Sequence, residues 1–203
     1  MLNFLLASSN PHKAEEFSKL FSGDLLQVSS APRSLEVIED GDSFQENALK
    51  KAKAYWDAFQ QPILADDSGL CVEAIPDELG ILSARFGGDG LTDRDRAELL
   101  LKKMEHNLTS NQRKAYFVCH LCCYLNPSEI FFFEGRLQGE IGYAYLGEHG
   151  FGYDPVFVPR AFVEDDSRKT LAQLPEWKQE FSHRAVAVQL AEQFFKERRG
   201  QKV

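Results

Sequence analysis

The sequence predicts an α/β protein, and three observations carry that prediction. Short apolar runs alternate with segments whose apolar residues recur at helical spacing. Two long runs rich in Phe, Tyr, Val and Cys follow one another across a turn at Asn126-Pro127-Ser128. One apolar run, Ile63-Leu64-Ala65, ends in Asp66-Asp67-Ser68-Gly69. The first pattern builds a sheet with helices packed on it, and the second gives that sheet its long centre. The third marks a strand end of the kind outside which α/β proteins gather ligands.

In chain order, residues 2–7 form an apolar strand that Ser8-Ser9-Asn10-Pro11 breaks. Asn10 is a good N-cap and Pro11 a good first helical residue, so a helix runs to about Phe21, with Ala14, Phe17, Leu20 and Phe21 at helical spacing. Residues 25–29 read as a second strand, followed by an acidic segment from Glu36 to Asp42. Ser43-Phe44-Gln45-Glu46 is a capping box that opens a helix to about Phe59. At about 100° per residue, Phe44, Ala48, Ala52, Tyr55 and Phe59 share one stripe, and Lys51 falls within about 20° of it. A lysine in an apolar stripe either meets a charge partner in a polar cavity or snorkels out at the helix edge. Asn47 borders the same face one turn earlier.

Two adjacent Asp side chains on an extended chain point in opposite directions, so Asp66 and Asp67 cannot chelate one ion together. One faces the crevice and the other the scaffold; an Asx-turn closing a plain strand fits the same residues. Leu70–Ile75 alternates as a further strand or arm, and Gly80–Gly88 is a glycine-bounded turn. Thr92-Asp93 caps a helix reaching about Asn107, with Ala97, Leu100, Leu101 and Met104 inward. Residues 115–125 and 130–141 are the hairpin strands. Gly150-Phe151-Gly152-Tyr153-Asp154-Pro155 is either a tight aromatic turn before the strand at Val156 or a place where backbone and a ring face approach a ligand. Ser182 caps the last helix.

Two helices begin with cations, His12-Lys13 and His183-Arg184, where helix N-termini favour acids. A solvated surface lysine explains Lys13 alone, but a phosphate shared between both N-termini explains the pair more economically.

Composition narrows the ligand. With 203 residues the chain holds one good core, or one domain with a smaller lobe. The net charge is −8 with no Lys/Arg block, which argues against a nucleic acid polymer, so a polyanionic ligand must be small and met by a few local cations and a metal ion. No apolar run reaches membrane-span length and the start lacks a basic leader, so no membrane is expected and a cytoplasmic location is. Cys119 and Cys122 point to opposite faces of a strand, the wrong spacing for a shared metal, and read as buried thiols like Cys71 and Cys123.

The stretches LASSNPHK (6–13), EDGDSFQENALKKA (39–52), LADDSGL (64–70), SARFGG (83–88), GFGYDP (150–155) and FSHRA (181–185) together resemble the inosine triphosphate pyrophosphatase family, also called dITP/XTP pyrophosphatases. They occur in family order across nearly the whole chain. The resemblance implies a single domain over 1–203, an elongated mixed β-sheet flanked by helices, with two lobes, a cleft between them and a homodimer. It implies Mg²⁺-dependent hydrolysis of ITP, dITP and XTP to the monophosphate and pyrophosphate.

Carried onto matching positions, Ser8, Asn10, Lys13 and Lys51 hold the triphosphate and Ser68 touches substrate. Asp67 is the catalytic carboxylate and a metal ligand, with Glu39 the second metal position. Phe151 stacks on the purine, Gly152, Tyr153 and Asp154 complete that wall, and Lys178, His183 and Arg184 contact base and nucleotide. The chain departs from the family pattern at Ser9 and His12, where glycines are frequent, at Leu79, where proline is common, and at Gln173, where the family has Glu. Two rival readings are a Maf-like pyrophosphatase for other modified nucleotides and a non-catalytic nucleotide-sensing module. GFGYDP and SHR argue against the first; the second would not need Glu39 and Asp67 as paired acids.

Overall fold

The computed structural model describes residues 2–21 and 25–200; the rest of the expected 1–203 domain lies outside the described residues. Its elements are β1 (Leu2–Leu6), α1 (Pro11–Leu20), β2 (Leu26–Ser30), α2 (Phe44–Phe59), β3 (Ile63–Val72), α3 (Asp93–Lys103), β4 (Lys114–Asn126), β5 (Glu129–Ile141), β6 (Phe157–Pro159), α4 (Arg160–Glu164), α5 (Pro175–Phe181) and α6 (His183–Gly200), with short 3₁₀ turns between some of them. The strands form one six-stranded sheet in the order β2-β1-β3-β4-β5-β6. β1 pairs parallel with β2 and β3, while β5 pairs antiparallel with β6, so the sheet is mixed and the fold α/β as expected. Parallel neighbours need crossovers, which α1 and α2 supply; β4 and β5 need only the Pro127-Ser128 turn.

Local chemistry sets the helix starts. Asn10 Oδ1 accepts from the His12 and Lys13 backbone N–H groups at 2.9 and 3.3 Å, with Pro11 at the first helical position. Ser43 Oγ accepts from Glu46 N–H, but Glu46 reaches Asp42 N–H and not that of Ser43, so the expected capping box is shifted by one residue. A full box, Thr92 with Asp95, starts α3. That helix stops at Lys103, four residues short of the expectation. The buried Arg113 guanidinium takes the carbonyls of Met104 and Asn107 just past its end, so the chain there meets a side chain in place of a further helical turn.

A larger difference concerns β3. The Asp-Asp-Ser-Gly cluster does not end the strand, which continues through it to Val72. The turn-forming signals are overridden because each polar side chain finds a partner on its own face of the sheet. Leu64 packs with Phe17 and Val188, whereas Ile63 and Ala65 pack with Ala48, Ala52 and Tyr55. Continuing that alternation sends Asp66 and Ser68 toward α1 and α6, and Asp67 toward α2. On β4 the same alternation puts Cys119 and Cys122 in different core clusters, as the strand period requires, and all four cysteines are free thiols.

The chain divides into two compact units. The first comprises Met1–Ser68, Cys119–Gly135 and Ser182–Val203. It has an apolar core on each face of the sheet, one closed by α1 and α6 and the other by α2. The second comprises Gly69–Val118 and Arg136–Phe181, around a core that includes Leu70, Phe86, Leu100, Met104, Phe117 and Phe157. No helix among the described residues is long and apolar enough to cross a membrane.

Candidate active site

In the first unit, side chains from three helices converge on the middle of β3. Lys13 from the first turn of α1 donates to Asp66 Oδ2 at 2.9 Å. Arg184 from the first turn of α6 brings Nε to 3.5 Å from the same oxygen and donates through Nη2 to Ser68 Oγ at 2.7 Å. Ser68 Oγ in turn donates to Asp66 Oδ2 at 3.0 Å, and Arg184 Nη1 donates to Glu16 Oε2 at 2.9 Å. The cations that opened both helices therefore share one buried anion, and that anion is the Asp66 carboxylate. Burial works against its charge, yet the fields of Lys13, Arg184 and Lys51 prevail and hold the carboxyl well below the ordinary range.

Asp67 looks the other way. Its Oδ2 accepts from Asn47 Nδ2 at 3.1 Å, and its Oδ1 accepts from the Ser68 N–H at 3.0 Å. Lys51 Nζ stands 3.9 Å from that Oδ1 and 2.9 Å from Glu39 Oε2. The lysine of the apolar stripe is thus buried against charge partners and does not snorkel. Asn47 Oδ1 accepts from the Gly41 N–H at 2.8 Å, which ties the acidic segment to the helix. A side chain at position 41 would meet that oxygen at 2.7 Å, so anything larger than glycine would have to displace the Asn47 amide. Burial outweighs the nearby cations at Asp67 and pushes its pKa up to about 6. One carboxylate of the pair is locked as an anion, and its neighbour is poised to take a proton near neutrality.

Several other expected residues lie at the edge of this cluster. Ser8 Oγ accepts from the Asn10 N–H at 3.1 Å, and the Asn10 side chain is engaged in capping α1. His183 is buried at the start of α6, whose backbone approaches β5 so closely that a Cβ on Gly135 would lie 2.0 Å from the His183 carbonyl oxygen.

The remaining expected residues belong to the second unit. Lys178 Nζ donates to Asp154 Oδ2 at 2.7 Å and lies 4.8 Å from the centre of the Phe151 ring. The same Asp154 oxygen accepts from the Phe151 N–H at 2.9 Å, and the Gly152 N–H donates to Asp93 Oδ2 at 2.8 Å. A side chain at Gly150, which sits at φ +80°, would collide with Asp154 at 2.0 Å. Tyr153 lies behind Phe151 and Gly152 in the chain's order and is buried. Its ring is in the core and its hydroxyl donates to the Ser83 carbonyl at 2.7 Å, so it braces the segment from beneath. Gln173 accepts from the Thr170 N–H and hydroxyl in a capping box, work that Gln does as well as Glu.

Sequence reasoning missed Asp66 as the hub, Glu16 and Gly135. Asp66 was one of two indistinguishable neighbours. Glu16 lay one turn past Lys13 on α1, and nothing local marked its partner 168 positions away. Among the described residues no group of three or more His, Cys, Asp or Glu side chains is placed to hold a metal ion. Glu39 and Asp67, two hard oxygen donors facing one cation, fit a Mg²⁺ ion that keeps its waters and takes its other ligands from phosphate, and do not fit an all-protein cage.

A model of the Ham1 family matches residues 4–194. A dITP/XTP pyrophosphatase of Oceanobacillus iheyensis is 34% identical over 199 residues, covering 96% of this chain and 98% of its own. One from Aquifex aeolicus is 40% identical over 197 residues, covering 92% and 93%. Among solved structures, the Staphylococcus aureus Ham1 protein matches with a TM-score of 0.80 at 34% identity, covering 97% of this chain and 99% of that one. A HAM1 protein from Coxiella burnetii matches with a TM-score of 0.81 at 30% identity, covering 97% and 100%. With the match running from Phe4 to Phe194, across every element that brings a side chain to the cluster, the chain belongs to the Ham1 family.

Proposed function

We propose that this protein hydrolyses deaminated purine nucleoside triphosphates, ITP, dITP and XTP, to the monophosphate and pyrophosphate. The observation that carries the reading is the convergence of Lys13, Lys51 and Arg184, from three helices, on the Asp66-Asp67 pair. It is supported by relatives bearing the dITP/XTP pyrophosphatase name along nearly their whole length.

Phosphoryl transfer needs positioning and charge neutralisation more than covalent chemistry. In this reading Lys13, Lys51 and Arg184 hold the triphosphate, aided by Ser8, Asn10 and Ser68. Mg²⁺, held by Glu39 and Asp67, supplies further neutralisation of the phosphates when bound. Asp67 orients the attacking water or accepts its proton. Phe151 stacks on the purine, and Lys178, with His183, contacts the base, Lys178 being held in place by Asp154. A cytoplasmic homodimer belongs to the same reading.

Pyrophosphate release from ITP, XTP and dITP against ATP and GTP, with and without Mg²⁺, tests it. Mg²⁺-dependent release favouring the first three is expected. Equal turnover of ATP and GTP would overturn the substrate assignment. No turnover of any of them would favour the nucleotide-sensing module.

A further inference from the structure

Lys51 sits against both carboxylates that the proposed reading gives to the metal. Its ammonium is 2.9 Å from Glu39 Oε2 and 3.9 Å from Asp67 Oδ1. Two of the three, Lys51 and Asp67, are firmly seated. Lys51 is 9% exposed, and Asn47, one turn earlier on α2, holds Asp67 through Nδ2 and the Gly41 backbone through Oδ1.

The charges decide what can enter. Glu39, Asp67 and Lys51 together carry one excess negative charge. A dication arriving alone would compete with an ammonium for the same oxygens and leave that ammonium buried without its partners, which is costly. A triphosphate changes both terms. Its oxygens offer Lys51 a replacement anion, and they add to a metal shell for which no group of three or more protein ligands is placed among the described residues. We propose that Lys51 is a built-in cation that closes the metal site of the nucleotide-free protein, so that Mg²⁺ enters with the nucleotide or after it. The inference rests on Glu39 and Asp67 being the metal ligands.

The test uses Mn²⁺ as a spectroscopic substitute for Mg²⁺, its binding to the protein read by water proton relaxation enhancement, with and without the α,β-imido analogue of ITP. Wild-type protein should bind Mn²⁺ weakly alone and tightly with the analogue. Lys51→Met should bind Mn²⁺ alone at least ~10-fold more tightly than wild type, because the like charge beside the two carboxylates is gone. Wild type binding Mn²⁺ as tightly alone as with the analogue would overturn the proposal, as would Lys51→Met binding it alone no better than wild type. The wild-type comparison decides even where Lys51→Met fails to fold. Binding with the analogue that survives both Glu39→Gln and Asp67→Asn would instead remove the metal reading of those two residues, and the proposal with it.

Discussion

Asp66 and Asp67 are chemically identical neighbours whose surroundings push their pKa values apart. Asp66, 1% exposed, is the counter-ion of two helix-terminal cations; removing its charge leaves Lys13 and Arg184 facing each other. Asp66→Asn is expected to destabilise the protein by about 3–5 kcal/mol, the usual cost of breaking a buried pair, in urea titrations. Adding Lys13→Met should recover part of that loss, because one of the two cations left without Asp66 goes with it. Asp67→Asn is expected to abolish pyrophosphate release while largely sparing nucleotide binding. Unchanged turnover would refute its role. The raised pKa of Asp67 also fixes a sign for stability. Its folded value near 6 exceeds the unfolded one, so the native state binds the extra proton and Asp67 adds stability at low pH that is lost as pH rises through about 6. In metal-free, nucleotide-free protein, Asp67→Asn should therefore gain relative to wild type between about pH 4 and about pH 7, by roughly 2–3 kcal/mol at most. A gain in the opposite direction would contradict the burial argument.

At the scale of elements, three helices are aimed by their first turns. α1 is started by Asn10 and Pro11, α2 by Ser43, and α6 by Ser182, whose Oγ accepts from the Ala185 N–H at 3.2 Å. Because Lys13 and Arg184 lie in first turns, small displacements of those helix ends translate directly into displaced charges. Gly135 on β5 is the sharpest control point. A methyl there would sit 2.0 Å from the His183 carbonyl oxygen and 2.6 Å from the Ala187 nitrogen, both backbone atoms that cannot rotate away. Gly135→Ala should push the start of α6 from the sheet and lower kcat/KM for ITP by about 10-fold or more, an effect of the size expected when a charged group is misplaced by about an ångström. Activity matching wild type would show that Arg184 needs no such seating.

At the scale of the molecule, the expected ligand contacts fall into two sets. The residues expected to hold phosphate lie in the first unit, and Phe151, Asp154 and Lys178 lie in the second. The two sets should be separable by ligands that contain only one part of a nucleotide. Phe151→Ala should raise KM for ITP by about 10-fold or more, the worth of one base–aromatic stack. The same variant should leave inhibition by inorganic tripolyphosphate, which has no base, unchanged. A matching loss of tripolyphosphate inhibition would mean that Phe151 acts on the whole site and not on the base.

Much of this was legible in order along the chain. Strand and helix positions follow from apolar periodicity and capping residues, and the inward lysine of α2 follows from counting turns, because these signals act within a few residues. That Asp66 and Asp67 must diverge also follows locally, from the period of a strand. The sequence alone thus determined the α/β class, the cationic helix starts and the candidate residues. Which Asp serves as the anchoring anion, how β3 carries a turn-like cluster straight through, and why position 135 must be glycine were decided only by tertiary packing. Those outcomes depend on groups brought from distant parts of the chain to opposite faces of one strand, and burial and charge balance there have no local sequence signature.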